Sequence, residues 1–305
     1  MPLDRREFLR STLLTAATRG GGPSTAPAAT APSTDAEAVV ALIDTNVHLF
    51  AWPFRRLKYD RTSALAAKLR RHGVTQAWAG SFEGLFSKDL AGVNERLVEE
   101  CRREGEGLFV PIGSVNPLWP DWEEDLRRCH EVHRMQAIRV HPGYQGYSLE
   151  HPEFARLLEK ATARGLLVQV ALELEDARVH HPSFRFTPTP ATPLVSLLPR
   201  IPAARVQLLG SWQWMRVAAS RALQDLPNVL HDVSNLEAVG AVGRVLDGTH
   251  WSLPGRVPVE RLMFGSHAPY FPVEAALFRL FESPLTRPQL EAIMAANARR
   301  ALARA

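Results

Sequence analysis

From residue 39 onward this chain alternates eight times between a short apolar run of strand length and an amphipathic stretch of helix length, and that alternation constrains its fold more than any other feature. Strands are predicted at 39–45, 75–80, 108–113, 137–141, 166–172, 205–209, 229–233 and 262–265, and helices at 63–71, 90–103, 122–133, 152–164, 193–198, 215–226, 239–246 and 273–281. Gly73, Gly105 and Gly165 follow last turns that carry Arg, where a cation suits the helix dipole and glycine takes the left-handed cap. Strands separated by crossover helices pair in parallel, and eight such units over about 265 residues are what a closed barrel requires. An open doubly wound sheet ordinarily shows a Gly-rich phosphate loop after its first strand, and none follows here. The predicted architecture is α/β, a single (β/α)8 barrel over residues 37–305.

Residues 1–36 stand outside that pattern. Asp4-Arg5-Arg6-Glu7-Phe8-Leu9-Arg10 matches the twin-arginine export pattern. The following stretch, Ser11 to Thr18, is only weakly apolar and far shorter than the roughly 20 residues needed to span a bilayer. The Gly, Pro, Ser, Thr and Ala tract that runs on through Thr34 has too little apolar surface to fold, and Ala26-Pro27-Ala28-Ala29 offers a small-residue cleavage site. The expectation is a signal and linker on a periplasmic or otherwise exported protein, or a cytoplasmic protein if the arginine pair is incidental. The composition of the full 305 residues, 46% hydrophobic and 22% charged, excludes disorder, collagen and coiled coil as descriptions of the whole. A net charge of +4, from 36 Lys and Arg against 32 Asp and Glu, comes without any run of five like charges, so nucleic acid is not an expected partner. A membrane span is not expected either, and homo-oligomerisation is left open. Cys101 and Cys129 sit inside predicted helices without ligand spacing, which suits buried thiols, or a disulfide in an exported protein, rather than a zinc knuckle.

In a barrel of this kind chemistry gathers at the carboxyl ends of the strands. The first strand ends Ile43-Asp44-Thr45-Asn46-Val47-His48, whose period of two puts Asn46 and His48 on one face. The fourth gives Ile138-Arg139-Val140-His141-Pro142, with Arg139 and His141 together, and Tyr144 and Tyr147 follow it. The fifth ends Ala171-Leu172-Glu173, with Glu173 in phase with Gln169. The sixth leads to Gly210-Ser211-Trp212, the seventh gives His231-Asp232 and then Asn235, and the eighth runs into Phe264-Gly265-Ser266-His267. Two loops are placed to shape a pocket: Phe50-Ala51-Trp52-Pro53-Phe54-Arg55-Arg56, which suits either stacking and anion capture or plugging of the barrel mouth, and 176–190, which carries Arg178, His180 and His181.

These pieces carry a family resemblance. Asp44-Thr45-Asn46-Val47-His48 stands at an Asp-x-His-x-His position, Phe264-Gly265-Ser266-His267 at a Phe-Gly-Ser-Asp position, and Ile138 to Pro142 and the closing Ala296-Asn297-Ala298-Arg299-Arg300 complete the set. In this order the chain resembles the amidohydrolase-related proteins, the branch often labelled amidohydrolase 2, across about residues 40–303. The resemblance implies a barrel that acts as a hydrolase or as a non-oxidative decarboxylase. It also implies a divalent ion, zinc or manganese, but four of the family's ligand positions differ. The first ligand is Asn46, the strand-five and strand-six histidines have no counterpart, and the strand-eight aspartate is His267. The remaining set, His48, His141, Glu173 and His267, either holds a metal in altered geometry or forms a metal-free site.

The function expected from the sequence is hydrolysis of a small carboxylated or cyclic substrate such as a lactone or amide. The alternatives are decarboxylation at the same site and an inactive barrel that binds a ligand. His267 would activate water, with Glu173 or Asp232 orienting it or taking over as base, while His48 and His141 polarise a carbonyl or help hold a metal. Arg139 and Arg178 would fix a carboxylate, with Asn46, Tyr144, His181 and Trp212 as further substrate contacts. An inward guanidinium needs a partner, either Glu173 or a substrate carboxylate. His48 and His141 have a plainer reading as core histidines bonded to backbone carbonyls.

Overall fold

The computed structural model describes residues 41–176, 180–183, 186–212, 221–251, 253 and 255–303. The expected leader over 1–36 and the candidate Arg178 lie outside the described residues. The strands are β1 (Leu42–Leu49), β2 (Val74–Ser81), β3 in two segments (Phe109–Pro111 and Gly113–Ser114), β4 (Ala137–Val140), β5 (Leu167–Ala171), β6 (Val206–Leu209), β7 (Val229–Asp232) and β8 (Leu262–Met263). Each pairs in parallel with the next. The break in β3 falls at Ile112, whose N–H still donates to the Ala79 carbonyl at 2.8 Å. Closure comes from β1 meeting the residues after β8: Thr45 N–H donates to Phe264 O, His267 N–H to Asn46 O and His48 N–H to Ala268 O, each at 2.9 Å. Val47 bridges Ala268 in parallel, so the ring is complete.

β1 starts later and runs further than its apolar pattern predicts. Its polar residues Asp44, Thr45, Asn46 and His48 are all buried; Thr45, Asn46 and His48 find side-chain partners on β6, β7 and β4, and Asp44 accepts from Asn46 N–H and from Ser266 N–H after β8. A register shift between Asp44 and Val47 breaks the simple alternation.

The helices are α1 (Thr62–Arg71), α2 (Leu90–Glu104), α3 (Trp122–Arg127), α4 (Pro142–Gln145), α5 (Pro152–Ala163), α6 (Leu194–Leu197), α7 (Arg221–Asp225), α8 (Ala241–Asp247), α9 (Val273–Phe281), α10 (Arg287–Glu291) and α11 (Asn297–Leu302). They form where periodicity and capping agree. In α5, Pro152 occupies the first turn, where its missing N–H costs nothing, the His151 ring caps the Glu153 N–H, and Phe154, Leu157, Leu158 and Ala161 make the buried stripe. In α2 the Asp89 carboxylate caps Gly92 N–H, and Leu90, Val93, Leu97 and Cys101 face inward. Cys101 and Cys129 are buried free thiols. Gly73 and Gly165 take left-handed caps, but Gly105 stays right-handed, and the reversal after α2 falls instead on Glu106 and Gly107. Of the helix expected at 215–226 only α7 is described, since 215–220 lie outside the described residues. Among the described residues no helix is long and apolar enough to cross a membrane.

The core has three parts. The largest lies between strands and helices, and a second closes the amino end of the barrel, where Ile43, Trp78, Ile112 and Met263 meet Ala295, Ala298 and Ala301. Asn297 ties α11 to that end by donating to the carbonyls of Val259 and Leu262, both at 2.7 Å. The third part, with Trp52, Leu57, Phe82, Leu85, Leu174, Leu209 and Tyr270, sits over the carboxyl end.

Candidate active site

Halfway up the barrel the interior is polar. Gln169 on β5 donates to Thr45 O at 2.9 Å and to Gln207 Oε1 at 2.7 Å, and Gln207 on β6 donates to Thr45 Oγ1 at 2.8 Å. Arg139 on β4 joins this layer through Nε, which donates to Gln169 Oε1 at 2.9 Å. Its Nη1 donates to Val47 O at 3.0 Å and meets His48 Nε2 at 2.9 Å. The guanidinium lies over Gly80, where a Cβ would stand 2.7 Å from Nη1, so this glycine makes room for it. Arg139 is fully buried, and among the described residues it makes no ion pair, with Glu173 or with any other carboxylate.

Three histidine rings lie close together beside this layer. His48 lies 5.5 Å from His267 and 6.3 Å from His141, centroid to centroid. A guanidinium can only donate, so His48 Nε2 is an acceptor and its proton sits on Nδ1. His267 Nε2 faces the Leu174 carbonyl at 2.7 Å, so that nitrogen carries the proton and Nδ1 holds a lone pair. Nδ1 of His48, Nδ1 of His267 and both nitrogens of His141 are buried without a hydrogen-bond partner among the described residues. His267 also has φ 60, a left-handed conformation unusual for a residue with a side chain, and is held there by its N–H on Asn46 O. Burial, followed by the positive Arg139, keeps all three rings neutral: His48 is held well below its usual range, and His141 is pushed down to about 3. For His267, pushed down to about 4, burial dominates, and its bond to the Leu174 carbonyl is the one influence that favours the charged ring.

The carboxylates nearby are occupied except at one oxygen, Asp44 Oδ2, which is buried without a partner among the described residues. Asp232 accepts from Asn46 Nδ2 at 2.6 Å, Ser234 Oγ at 2.8 Å and Gly210 N–H at 2.9 Å, and burial raises its pKa to about 6. Asp44 accepts from the backbone N–H of Asn46 and Ser266, and burial raises it to about 7. Asp232 is therefore a bracket between β1, β6 and β7 rather than an open base. Trp212 likewise spends its indole N–H on Asp232 O at 2.7 Å and is buried beside β7, which removes it from the expected substrate contacts.

An aromatic roof covers the histidines. Phe82 stacks on His48 at 4.8 Å and 6°, and Tyr270 on His267 at 5.0 Å and 11°. Trp52 lies 5.4 Å from Phe82 and 5.2 Å from Tyr270. Arg55 pairs with Glu175 at 2.9 Å while its guanidinium lies over the Tyr270 ring. His181 is exposed and stacks on Phe54, and Tyr144 Oη accepts from Leu174 N–H at 2.7 Å. Glu173 faces His180 at 3.9 Å. Thus Arg139, His48, His141 and His267 converge, whereas Tyr144, His181 and Trp212 are used in the loops and walls around them. Gln169 and Gln207 were visible as polar breaks in apolar strands, but Phe82 and Tyr270, far apart in the chain, gave no local signal.

The expected metal set does not fit. His48 Nε2 is taken by Arg139 and His267 Nε2 by a carbonyl, so neither offers the nitrogen opposite its backbone; the Asn46 NH2 is spent on Asp232 and Ser234, which leaves Oδ1, a weak ligand, beside the open nitrogens of His141 and Nδ1 of His267. Among the described residues no three His, Cys, Asp or Glu side chains form a group able to hold a metal ion. The physical reason is that the strand-four guanidinium reaches the nitrogen a metal would need.

Solved structures share the fold. A 2,6-dihydroxybenzoate decarboxylase from Rhizobium aligns with TM-score 0.64 at 15% identity over 86% of this chain and 98% of that one. A 5-carboxyvanillate decarboxylase from Sphingomonas paucimobilis gives 0.64 at 13%, over 86% and 99%. A dihydroxybenzoic acid decarboxylase from Polaromonas sp. JS666, with bound manganese and the inhibitor 2-nitroresorcinol, gives 0.63 at 13%, over 86% and 96%. At such identities the likeness is one of fold. No curated protein matches the chain. A family model for amidohydrolases matches residues 43–304, nearly the whole barrel, and the chain therefore belongs to the amidohydrolase family.

Proposed function

We propose that this chain is a non-oxidative carboxy-lyase that removes carbon dioxide from a small carboxylated ring substrate. The observation that carries this is a fully buried guanidinium with no ion pair among the described residues, beside three neutral imidazoles with unpartnered nitrogens. A buried cation of that kind favours an anionic occupant. Hydrolysis would also need a base to activate water, and Asp232 is committed to Asn46, Ser234 and Gly210. The burial of the cluster under Trp52, Phe82 and Tyr270 also suits loss of a neutral gas from an anion in a dry site. The decarboxylases among the fold's neighbours support the same choice over the hydrolase expected from the sequence.

In this scheme the substrate carboxylate lies in the field of Arg139. Its negative charge raises the pKa of His267, whose Nδ1 takes up a proton while Nε2–H stays on the Leu174 carbonyl. The bond between the ring carbon and the carboxylate breaks, the electron pair stays on the ring carbon, and the proton on Nδ1 passes to it as carbon dioxide leaves. His141, with both nitrogens open, supports the developing charge. No step runs through a metal.

The test is product analysis with 2,6-dihydroxybenzoate and a panel of hydroxylated aromatic carboxylates, alongside lactones and esters of similar size. Carbon dioxide and the parent phenol are expected from at least one acid, and His267→Asn should abolish the release while leaving the melting curve in place. Ring opening of a lactone with no carbon dioxide from any acid would overturn the proposal.

A further inference from the structure

We infer that Arg139 is a built-in cation that acts through His48, taking the position a metal would need and making His48 Nδ1–H the donor to the substrate's carboxylate. The inference rests on the carboxy-lyase proposal only for the identity of that carboxylate. Its geometry stands independently, in four observations. Nη1 of Arg139 lies 2.9 Å from His48 Nε2 and 3.0 Å from Val47 O, so the guanidinium is fixed at the imidazole nitrogen from two sides. The Gln169 amide fixes Nε, and Gln169 is itself tied to Gln207 and Thr45, so the cation sits in a braced layer. Gly80 leaves the space that the guanidinium fills. His48 Nδ1 has no partner, although it is fully buried and must carry the ring's proton.

That last point gives the device its function. An unpaired N–H in a dry interior is costly, and costs of this kind persist where a ligand supplies the missing acceptor. A guanidinium on the far nitrogen draws electron density from the ring and strengthens Nδ1–H as a donor, as a metal on the same nitrogen would. Phe82, stacked on the ring at 4.8 Å, holds its plane. Arg139 is thus a positioning residue, and His48 is the group that touches substrate.

The test uses the full chain. Long-range nitrogen–proton NMR should show His48 in a single form, protonated at Nδ1 and unprotonated at Nε2, and benzoate should shift that Nδ1–H resonance. Gly80→Ala keeps the charge but places a Cβ 2.7 Å from Nη1, and Arg139→Met removes the charge. Each should release the fixed tautomer and weaken benzoate binding about tenfold or more, with partial rescue in Arg139→Lys, which restores a charge but not the fork. After incubation with manganese or zinc the wild-type chain should retain less than roughly a tenth of an ion per chain, against the stoichiometric binding of a built site. One ion per chain, lost in His48→Ala, would overturn the inference, as would an Nε2-protonated His48 or a Nδ1–H resonance that benzoate leaves unmoved. The wild-type measurements decide the matter even if a variant fails to fold. Benzoate bound at a fixed His48 with no carbon dioxide from any acid would remove the carboxy-lyase proposal and leave the Arg139 assignment standing.

Discussion

Lowering the pH from 7 to 5 should destabilise this protein by an amount that its buried groups set. His141 and His231 are held at about 3 in the fold and His267 at about 4, each chiefly by burial. Unfolded histidine titrates near 6.5, so below that pH the unfolded chain takes up protons that the folded chain refuses. Stability is therefore lost as pH falls from about 6.5 toward the folded values, and by pH 5 each ring accounts for about 2 kcal/mol. His48, held well below its usual range, acts in the same direction. Three carboxyls oppose this, and the half-buried Asp125, raised to about 6, is set against His48, which leaves the two fully buried ones to weigh against the other rings. Asp44, raised to about 7, and Asp232, raised to about 6, take up protons in the fold well above the unfolded value of 3.8, so their burial penalty is relieved as pH falls through the folded values. Together they return about 4 kcal/mol between pH 7 and 5, against about 6 kcal/mol lost at His141, His231 and His267. The net loss of about 2 kcal/mol corresponds to a fall in Tm of about 5 °C for a domain of this size. Differential scanning calorimetry at the two pH values measures it. His231 lies outside the cluster, against Trp212 and Ser211, so His231→Asn should flatten the profile by removing one ring's share without touching the others. A wild-type chain as stable at pH 5 as at pH 7, or a His231→Asn chain with an unchanged slope, would refute the assignment of neutral buried rings.

Other perturbations test the frame around the site. Asn297→Ala leaves the Val259 and Leu262 carbonyls without their donor and should cost about 2–3 kcal/mol in denaturant unfolding with little change in turnover per folded molecule. Gly143→Ala would put a Cβ 2.5 Å from the Phe186 ring and 2.6 Å from Thr187 O, so it should displace the loop after β5 and raise KM more than it lowers kcat. Replacing Arg5 and Arg6 by Lys in a fusion of residues 1–36 to a reporter should abolish export if those residues are a twin-arginine address, and a fusion that stays inside with the pair intact would dismiss it.

The fold was legible because the apolar runs of β2 to β8 and the stripes of α1, α2, α5 and α9 each carry their own period. β1 runs past its expected end at Thr45 because its last residues include the polar Asn46 and His48, whose partners on β7 and β4 only the closed fold supplies. Alternation likewise put Arg139 and His141 inward, yet it could not say which nitrogen of His48 stays open, because Arg139 and His48 are 91 positions apart and their meeting depends on Gly80, on a third strand. Of the roof, Trp52 was expected from its loop, whereas Phe82 and Tyr270 were hidden for the same reason. What the sequence did show were the departures from the family's ligands, and the structure gives them a common physical sense. Exchanging an imidazole for the Asn46 amide weakens one ligand, and exchanging a carboxylate for the His267 imidazole removes a negative charge, while Arg139 supplies a positive charge that a divalent ion would have to face. Restoring one ligand alone, as in Asn46→His, leaves that charge and the occupied Nε2 of His48 in place, so it should not create metal binding. Asn46→His combined with Arg139→Met should gain more affinity for manganese than the two changes give separately, and strict additivity in titration calorimetry would show that the guanidinium and the metal do not compete.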